Sequence, residues 1–434
     1  MLRRLLIVGF GLMALFGALG VLFAQAAGRL YVVNSFSKNV TVIDTGTDTV
    51  IGTIPLELQG YHIAFAPDGK VAYVTLAPQA LAQSNLISRL EVLDLVHGKA
   101  GGSIPLAFSP LSDVHISRDG KQAYIVTAAP PGNRNGQRGQ VLFVDLTSAA
   151  LKQTLPVGLN PLCSVMTPDG SRLFTADWAS HSISIVDLAH GKLLDTLPLG
   201  TATTRVMALS PDGRKLYSIL ERQITPIPNN AMFSNSNAVI YNTAQNVAQT
   251  QAFPVEDKLL WEIDTTSGAV AKYPLEGLSP VYTLAIPPDG SALYAYGRTT
   301  TIPLLQNTNA EKSPQTRLAP YDLIQIDLRT KNVLKHLGNY GYLAGMVCSA
   351  DGSKLYLIGT PGDPRREAVV QANYTRSQTN MPLQDPAKRL SQTQLLQDLS
   401  QLPKTVTVLD TRTGKTLKIL PIGSFPQGSG LAPR

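Results

Sequence analysis

Charge is scarce in this chain. Of its 434 residues only 15% are Asp, Glu, Lys or Arg, where ordinary globular domains carry about 25%. That shortage excludes a coiled coil and a disordered polyelectrolyte, since both need dense charge. Aromatic residues are few as well, at 6%. Cysteine occurs twice, at Cys163 and Cys348, too rarely for a disulfide-built scaffold. Spaced metal-ligand motifs are missing: there is no His-x-His, no His-Glu-x-x-His and no Cys-x-x-Cys, so no metal centre is called for. No Gly-x-Ser-x-Gly elbow marks a nucleophilic serine. Gly414-Lys415-Thr416 echoes the end of a phosphate-binding loop, but Leu409 stands where that loop needs its first glycine. The net charge of +7 is a mild basic bias, far from a nucleic-acid signature. Nothing in the chain calls for a cofactor.

Turn-forming residues, by contrast, are plentiful. The 35 Gly and 30 Pro disfavour a helical bundle and point to many tight turns. The N-terminus reads as an export signal over residues 1–26. Arg3 and Arg4 precede an unbroken apolar run from Leu5 to Phe23, and Ala24-Gln25-Ala26 fits the small-x-small rule for cleavage. The run is long enough to serve as a retained anchor instead. Either way, residues 27–434 are expected outside the cytoplasm: periplasmic, secreted or at the cell surface. Contact with a membrane is expected only through the uncleaved segment.

The body of the chain repeats. Six turns carry Asp-Gly: Asp68-Gly69, Asp119-Gly120, Asp169-Gly170, Asp212-Gly213, Asp289-Gly290 and Asp351-Gly352. Four residues after each glycine comes an aromatic ring, at Tyr73, Tyr124, Phe174, Tyr217, Tyr294 and Tyr356. Tyr31 is a seventh, without its turn. Seven apolar stretches then end in an acid: Asp44, Asp94, Asp145, Asp187, Asp264, Asp327 and Asp410. Asp-Gly between short alternating runs is a hairpin signal, and each unit has room for four strands, a to d. In the fourth unit they are expected at Leu162–Met166, Arg172–Ala176, Ser182–Asp187 and Leu193–Leu199. Seven four-stranded antiparallel units predict an all-β fold, the seven-bladed β-propeller. The chain starts on a strand b at Arg29-Leu30-Tyr31, and its end, Gly428 to Pro433, resembles a strand a. The C-terminal strand is therefore expected to complete the N-terminal blade and close the ring.

These residues carry a family resemblance. Leu30-Tyr31-Val32-Val33-Asn34, with Val40 to Thr45 and Thr53-Ile54-Pro55, is similar to the YVTN-type propeller repeat of about 40 residues, and the fourth unit matches in the same way. The resemblance spans residues 29–434 and implies a bacterial, exported propeller. Proteins with similar repeats include cell-surface proteins, the large subunit of quinoprotein amine dehydrogenases and lactonase-type propellers. A shared propeller transfers no activity.

Length is added in one place. The aromatic of strand b and the acid of strand c lie 13 residues apart in the first unit, Tyr31 to Asp44, and 54 in the seventh, Tyr356 to Asp410. Long b–c insertions are expected in blades 5, 6 and 7, with smaller ones in blades 2 and 3. The b–c and d–a connections share one face of a propeller, here called the top, so the elaboration is one-sided. In blade 5, residues 238–255 read either as an added hairpin or as strands c and d themselves. In blade 7, Asp385-Pro386 reads as the start of a short helix. The five insertions sum to +6 against +5 for residues 27–434. That excess suits an acidic protein surface, an anionic ligand or a cell-wall polymer; it equally suits ordinary solvated loops.

Candidate site residues follow from alignment on the Asp-Gly turns. His62, Asp113, Cys163, Val206, Thr283 and Gly345 fall at one level of strand a near the top. One residue earlier stand Tyr61, Arg205 and Tyr282. Strand b ends at Asp177, Trp178, Glu221, Arg222 and Arg298. This mixture suits an anionic or hydroxylated ligand at a channel mouth, includes His62 and Asp113 as a general acid–base pair, and is also what a merely hydrated mouth would show. The leading expectation is a binding scaffold without assigned catalytic residues. The alternative is a periplasmic enzyme or enzyme subunit, lactonase-like or like a quinoprotein dehydrogenase large subunit. Cys163 and Cys348 fall in blades on opposite sides of the ring, too far apart to bridge.

Overall fold

The computed structural model describes residues 28–35, 37–77, 88–106, 113–127, 138–200, 202–222, 259–275, 277–299, 321–360, 404–423 and 426–431. Among the described residues, thirty strands in chain order form seven four-stranded antiparallel sheets and one two-stranded ribbon. Blade 1 holds β1 (Arg29–Asn34), β2 (Asn39–Asp44) and β3 (Thr49–Pro55); its inner strand comes from the far end of the chain. Blade 2 holds β4 (Gln59–Phe65), β5 (Val71–Ala77), β6 (Arg89–Asp94) and β7 (Lys99–Pro105). Blade 3 holds β8 (Val114–Ile116), β9 (Gln122–Thr127), β10 (Arg138–Asp145) and β11 (Ala150–Leu159). Blade 4 holds β12 (Pro161–Met166), β13 (Arg172–Asp177), β14 (Ser182–Asp187) and β15 (Lys192–Pro198).

A ribbon then pairs β16 (Ala202–Thr203) with β19 (Glu221–Arg222). Blade 5 holds β17 (Met207–Leu209), β18 (Lys215–Ile219), β20 (Leu259–Asp264) and β21 (Val270–Pro274). Strands c and d of this blade are therefore 259–264 and 270–274; the stretch 238–255 lies outside the described residues. Blade 6 holds β22 (Leu278–Ala285), β23 (Ala292–Thr299), β24 (Tyr321–Asp327) and β25 (Val333–Gly338). Blade 7 holds β26 (Tyr342–Cys348), β27 (Lys354–Thr360), β28 (Lys404–Asp410) and β29 (Thr416–Ile422). Last comes β30 (Pro426–Leu431), which pairs antiparallel with β1 through Leu30↔Leu431 and Tyr31↔Gly430. The chain is a seven-bladed β-propeller, closed by its C-terminal strand.

Local chemistry explains the repeat. Each Asp-Gly glycine sits at positive φ, from 66° at Gly290 to 71° at Gly170 and Gly352, where a Cβ would be strained. The aspartate before it accepts a backbone amide two residues on, as Asp68 does from Lys70 at 3.0 Å. The acid ending strand c caps the c–d turn in the same way: Asp44 accepts the Thr47 amide at 2.8 Å and Asp327 the Arg329 amide at 2.7 Å. The strand-b rings are packed between blades. Tyr31, Phe174 and Tyr356 are nearly inaccessible, and each adds apolar area where one sheet face meets the next.

Blades 7 and 1 are joined a second time, at the bottom. Lys354 Nζ of blade 7 lies 2.6 Å from Asp48 Oδ2 of blade 1, and the Tyr356 hydroxyl donates to Asp48 Oδ1 at 2.8 Å. Blades 5 and 6 repeat the device with reversed charge: Lys331, in the c–d turn of blade 6, pairs with Glu262 and lies over the rings of Tyr217 and Tyr273. Among the described residues the one helix is a 3-10 turn, Trp178–Ser180. None of them forms a helix long and apolar enough to cross a membrane. Residues 1–26, the five b–c insertions over most of their length, and the stretch that follows Asp385-Pro386 lie outside the described residues.

Candidate functional site at the channel mouth

Strand a is the inner strand of every blade, and successive inner strands lie side by side around the ring. Near the top most of them share an irregularity. The pairing of strand a with strand b shifts by one residue between Gly60 and Ile63, Pro161 and Cys163, Val281 and Thr283, and Leu343 and Gly345. The strand completing blade 1 does the same opposite Val33/Asn34. A bulge leaves one residue unpaired and re-aims its neighbours. The extra residues, Leu162, Tyr282 and Ala344 among them, fall at the level aligned with Tyr61 and Arg205. The mouth is thus built from residues released from regular alternation.

On blades 2 to 4 the structure brings a polar cluster together. His62 Nδ1 of blade 2 lies 3.2 Å from Asp113 Oδ1 of blade 3, and the two side chains keep 25% and 29% of their surface accessible. The other carboxylate oxygen accepts the Ser164 amide of blade 4 at 2.6 Å and lies 3.4 Å from Ser164 Oγ. Ser164 Oγ is in turn 2.9 Å from His115 Nε2 of blade 3. One carboxylate therefore ties three consecutive blades. Burial works to raise the Asp113 carboxyl, but the bond and charge of His62, the nearby His115 and the Ser164 amide outweigh it and hold it below the ordinary value. Burial pushes His115 below the usual imidazole value, against the pull of Asp113. Burial, with the Asp113 charge beside it, pushes the Cys163 thiol up, which makes it a poor nucleophile.

The expected candidates take several positions. Tyr61 is buried, donates to Gln59 Oε1 at 3.1 Å, and burial pushes its phenol up to about 12. Asp177 is wholly buried within blade 4, where hydroxyls surround it: Thr175 Oγ1 at 2.7 Å, Ser182 Oγ at 3.4 Å and Ser184 Oγ. Desolvation outweighs these bonds and raises its carboxyl to about 6. Trp178 is also buried, and the Arg205 guanidinium stands 6.0 Å from its ring centroid. The Thr203 hydroxyl bonds to the Trp178 carbonyl at 2.9 Å, which fixes the β16–β19 ribbon, with the backbone of Glu221 and Arg222, beside this corner. On blade 6, Tyr321 stacks on Tyr296 at 5.6 Å with 7° between planes, and Tyr282 lies 5.9 Å from Tyr321. The Arg298 guanidinium lies 4.2 Å over Tyr321 and bonds its hydroxyl at 2.9 Å, a held cation on an aromatic bed.

Sequence alignment missed His115, Ser164 and Tyr321. His115 follows Asp113 by two residues on an extended strand, so both point to the same face; that spacing was the available signal. Ser164 and Tyr321 gave none, because neither is distinctive by type or position. Among the described residues, no three His, Cys, Asp or Glu side chains gather closely enough to hold a metal ion. Cys163 and Cys348 are both free thiols.

Comparison with known proteins agrees with this architecture. No protein-family model matches the chain. Over 144 residues it is 30% identical to the seven-bladed beta-propeller protein Rv1057 of Mycobacterium tuberculosis, a match covering 33% of each chain. The chain thus spans about a third of the length of the curated relative it matches. A solved structure of Kuenenia stuttgartiensis hydrazine synthase superposes with a TM-score of 0.56 at 18% identity, covering 78% of this chain and 91% of that one. At that identity the likeness is one of fold alone.

Proposed function

We propose that this chain is an exported YVTN-type propeller acting as a binding scaffold, with its ligand or partner taken at the loop-rich top face around the channel mouth. One observation carries the reading: consecutive blades deliver polar groups to the same level of the ring. Blades 2 to 4 supply His62, Asp113, His115 and Ser164 as hydrogen-bonding groups. Blades 5 and 6 supply Arg205 and Arg298, each set over an aromatic ring. Rigid inner strands presenting a few placed polar groups beside aromatic surface are the usual make-up of a ligand site. The two guanidiniums, with the positive insertions, favour an anionic or hydroxylated ligand such as an acidic protein surface or a cell-wall polymer.

The test is retention on an immobilised polyuronate and on polyglutamate across a salt gradient. Retention should weaken steeply with salt, and the double variant R205A/R298A should lose about tenfold in affinity, the effect of about 1.4 kcal/mol. No retention at low salt, or retention indifferent to salt, overturns the anionic reading. N-terminal sequencing of the cell-derived protein tests export with cleavage, which predicts a mature start at Ala27.

A second reading, as a periplasmic enzyme or enzyme subunit, draws support from the His62–Asp113 pair, a carboxylate within bonding reach of an imidazole. A turnover screen with lactones and amines, repeated on His62→Ala, separates it from the scaffold. Turnover lost in that variant favours the enzyme; absence of turnover favours the scaffold.

A further inference from the structure

At Asp113, side chains tie the inner strand of blade 3 to both neighbouring blades. Among the described residues its inner strand β8 has three, as does β17 in blade 5, against seven in β4 and six in β12. A backbone bond from the Val126 amide to the Asp113 carbonyl at 3.0 Å ties this residue to β9. The Asp113 carboxylate reaches His62 on one neighbour and Ser164 on the other. Every group that carries the tie beyond Ser164 is titratable. The ionisable groups facing it are His62 from blade 2, His115 from its own strand and Cys163 from blade 4.

We propose that His62, Asp113, His115 and Ser164 form a proton-operated clasp that loosens the inner strand of blade 3, and with it the channel mouth, on mild acidification. In the neutral cluster Ser164 can donate its hydroxyl hydrogen to the bare Nε2 of His115. A proton on His115 turns that nitrogen into a donor, so the serine oxygen must accept there and its hydrogen swings toward Asp113, 3.4 Å away. The added charge also acts on the same carboxylate that holds His62 from the other side. His115 is buried where the charged imidazole is poorly solvated, so the protonated cluster favours opening and the tie to the neighbouring blades weakens. Histidine is the side chain whose charge changes in this range. This inference rests on reading the mouth as the binding site, since it assigns that site a regulator.

The test is hydrogen exchange of the ligand-free protein at about pH 7.5 and about pH 5, corrected for intrinsic exchange rates. Residues 113–127 should lose protection by roughly fivefold relative to the blade 6 strands. His115→Gln keeps a neutral hydrogen-bonding side chain and should remove most of that response; His62→Gln should reduce it. Asp113→Asn should expose the segment at neutral pH already. An unchanged segment 113–127 in the wild type, or a full acid response persisting in both histidine variants, overturns the clasp. Because no ligand is present, that failure leaves the binding reading untouched; failure of the polyanion retention leaves the clasp untouched.

Discussion

Asp177 occupies in blade 4 the place that Asn34 occupies in blade 1. Asn34 Nδ2 donates to Thr41 Oγ1 of strand c at 2.8 Å, and the Asp177 carboxylate accepts from Ser184 at the matching position. Both side chains are completely buried. The position ties strand b to strand c just below the top face, through a neutral amide in one blade and an acid in the other.

This comparison predicts the outcome of Asp177→Asn. Burial raises the carboxyl in the folded state to about 6 from its ordinary 3.8, so the folded protein disfavours its ionised form. That penalty is absent below about pH 4, grows as pH rises to about 6, and stays constant above; it is on the order of 3 kcal/mol. The amide variant should gain about 1–3 kcal/mol at neutral pH and little at pH 4. Paired urea titrations at the two pH values check this; a variant equally destabilised at both would mean that the charge itself is needed.

Ring closure at the bottom face is open to a similar test. Asp48 accepts from Lys354 and Tyr356 across the blade 7–blade 1 boundary, and its backbone is left-handed at φ 51°. Asn tolerates that conformation, so Asp48→Asn removes the charge and little else. The expected cost is about 1–3 kcal/mol, because Lys354 loses its buried partner. Thermal unfolding of the full chain measures it, and an unchanged midpoint would show that β30 alone closes the ring.

The glycine turns differ in how tightly they are packed. A Cβ on Gly213 would come 2.4 Å from Pro168 Cδ of the previous blade, and the residue is at φ 70°. On Gly98, in a c–d turn at φ 65°, a Cβ would meet nothing within 4 Å. Gly98→Ala should therefore cost about 1 kcal/mol, the conformational term alone. Gly213→Ala should cost about 2–4 kcal/mol by adding an interblade clash. Equal losses in chemical denaturation would refute the packing argument.

Thiol chemistry gives a fourth check. Burial pushes the Cys348 thiol up to about 12 and the Cys163 thiol also upward, so neither forms thiolate at neutral pH. Iodoacetamide should leave both unmodified in the native protein and label both after unfolding. Rapid native labelling of Cys163 would place an accessible thiolate at the channel mouth.

Much of the fold was legible because its signals are local. Asp68-Gly69 and its five counterparts need positive φ at glycine whatever surrounds them, so the turns announce themselves. Tyr124 and Phe174 mark strand b because an aromatic four residues past the turn lands between two sheets. Blade 5 was ambiguous because 238–255 and 259–275 both alternate well enough to be strands; pairing of Lys215 with Asp264 decided it. The site was legible only in part. Position along strand a placed His62 and Asp113 at one level, but their bond depends on how closely two separate sheets approach.

The scarcity of charge and the wealth of turns, with the spacing of Asp-Gly and aromatic residues, determined by themselves an all-β ring of seven units, because hairpin geometry is set within a few residues. The closed ring decided which side chains meet. His62, Asp113 and Ser164 are separated by about fifty residues at each step and touch only because neighbouring inner strands converge on one channel. Whether a polar residue such as Asp177 turns inward or faces the mouth was likewise decided there, by the hydroxyls that the next strand places within reach.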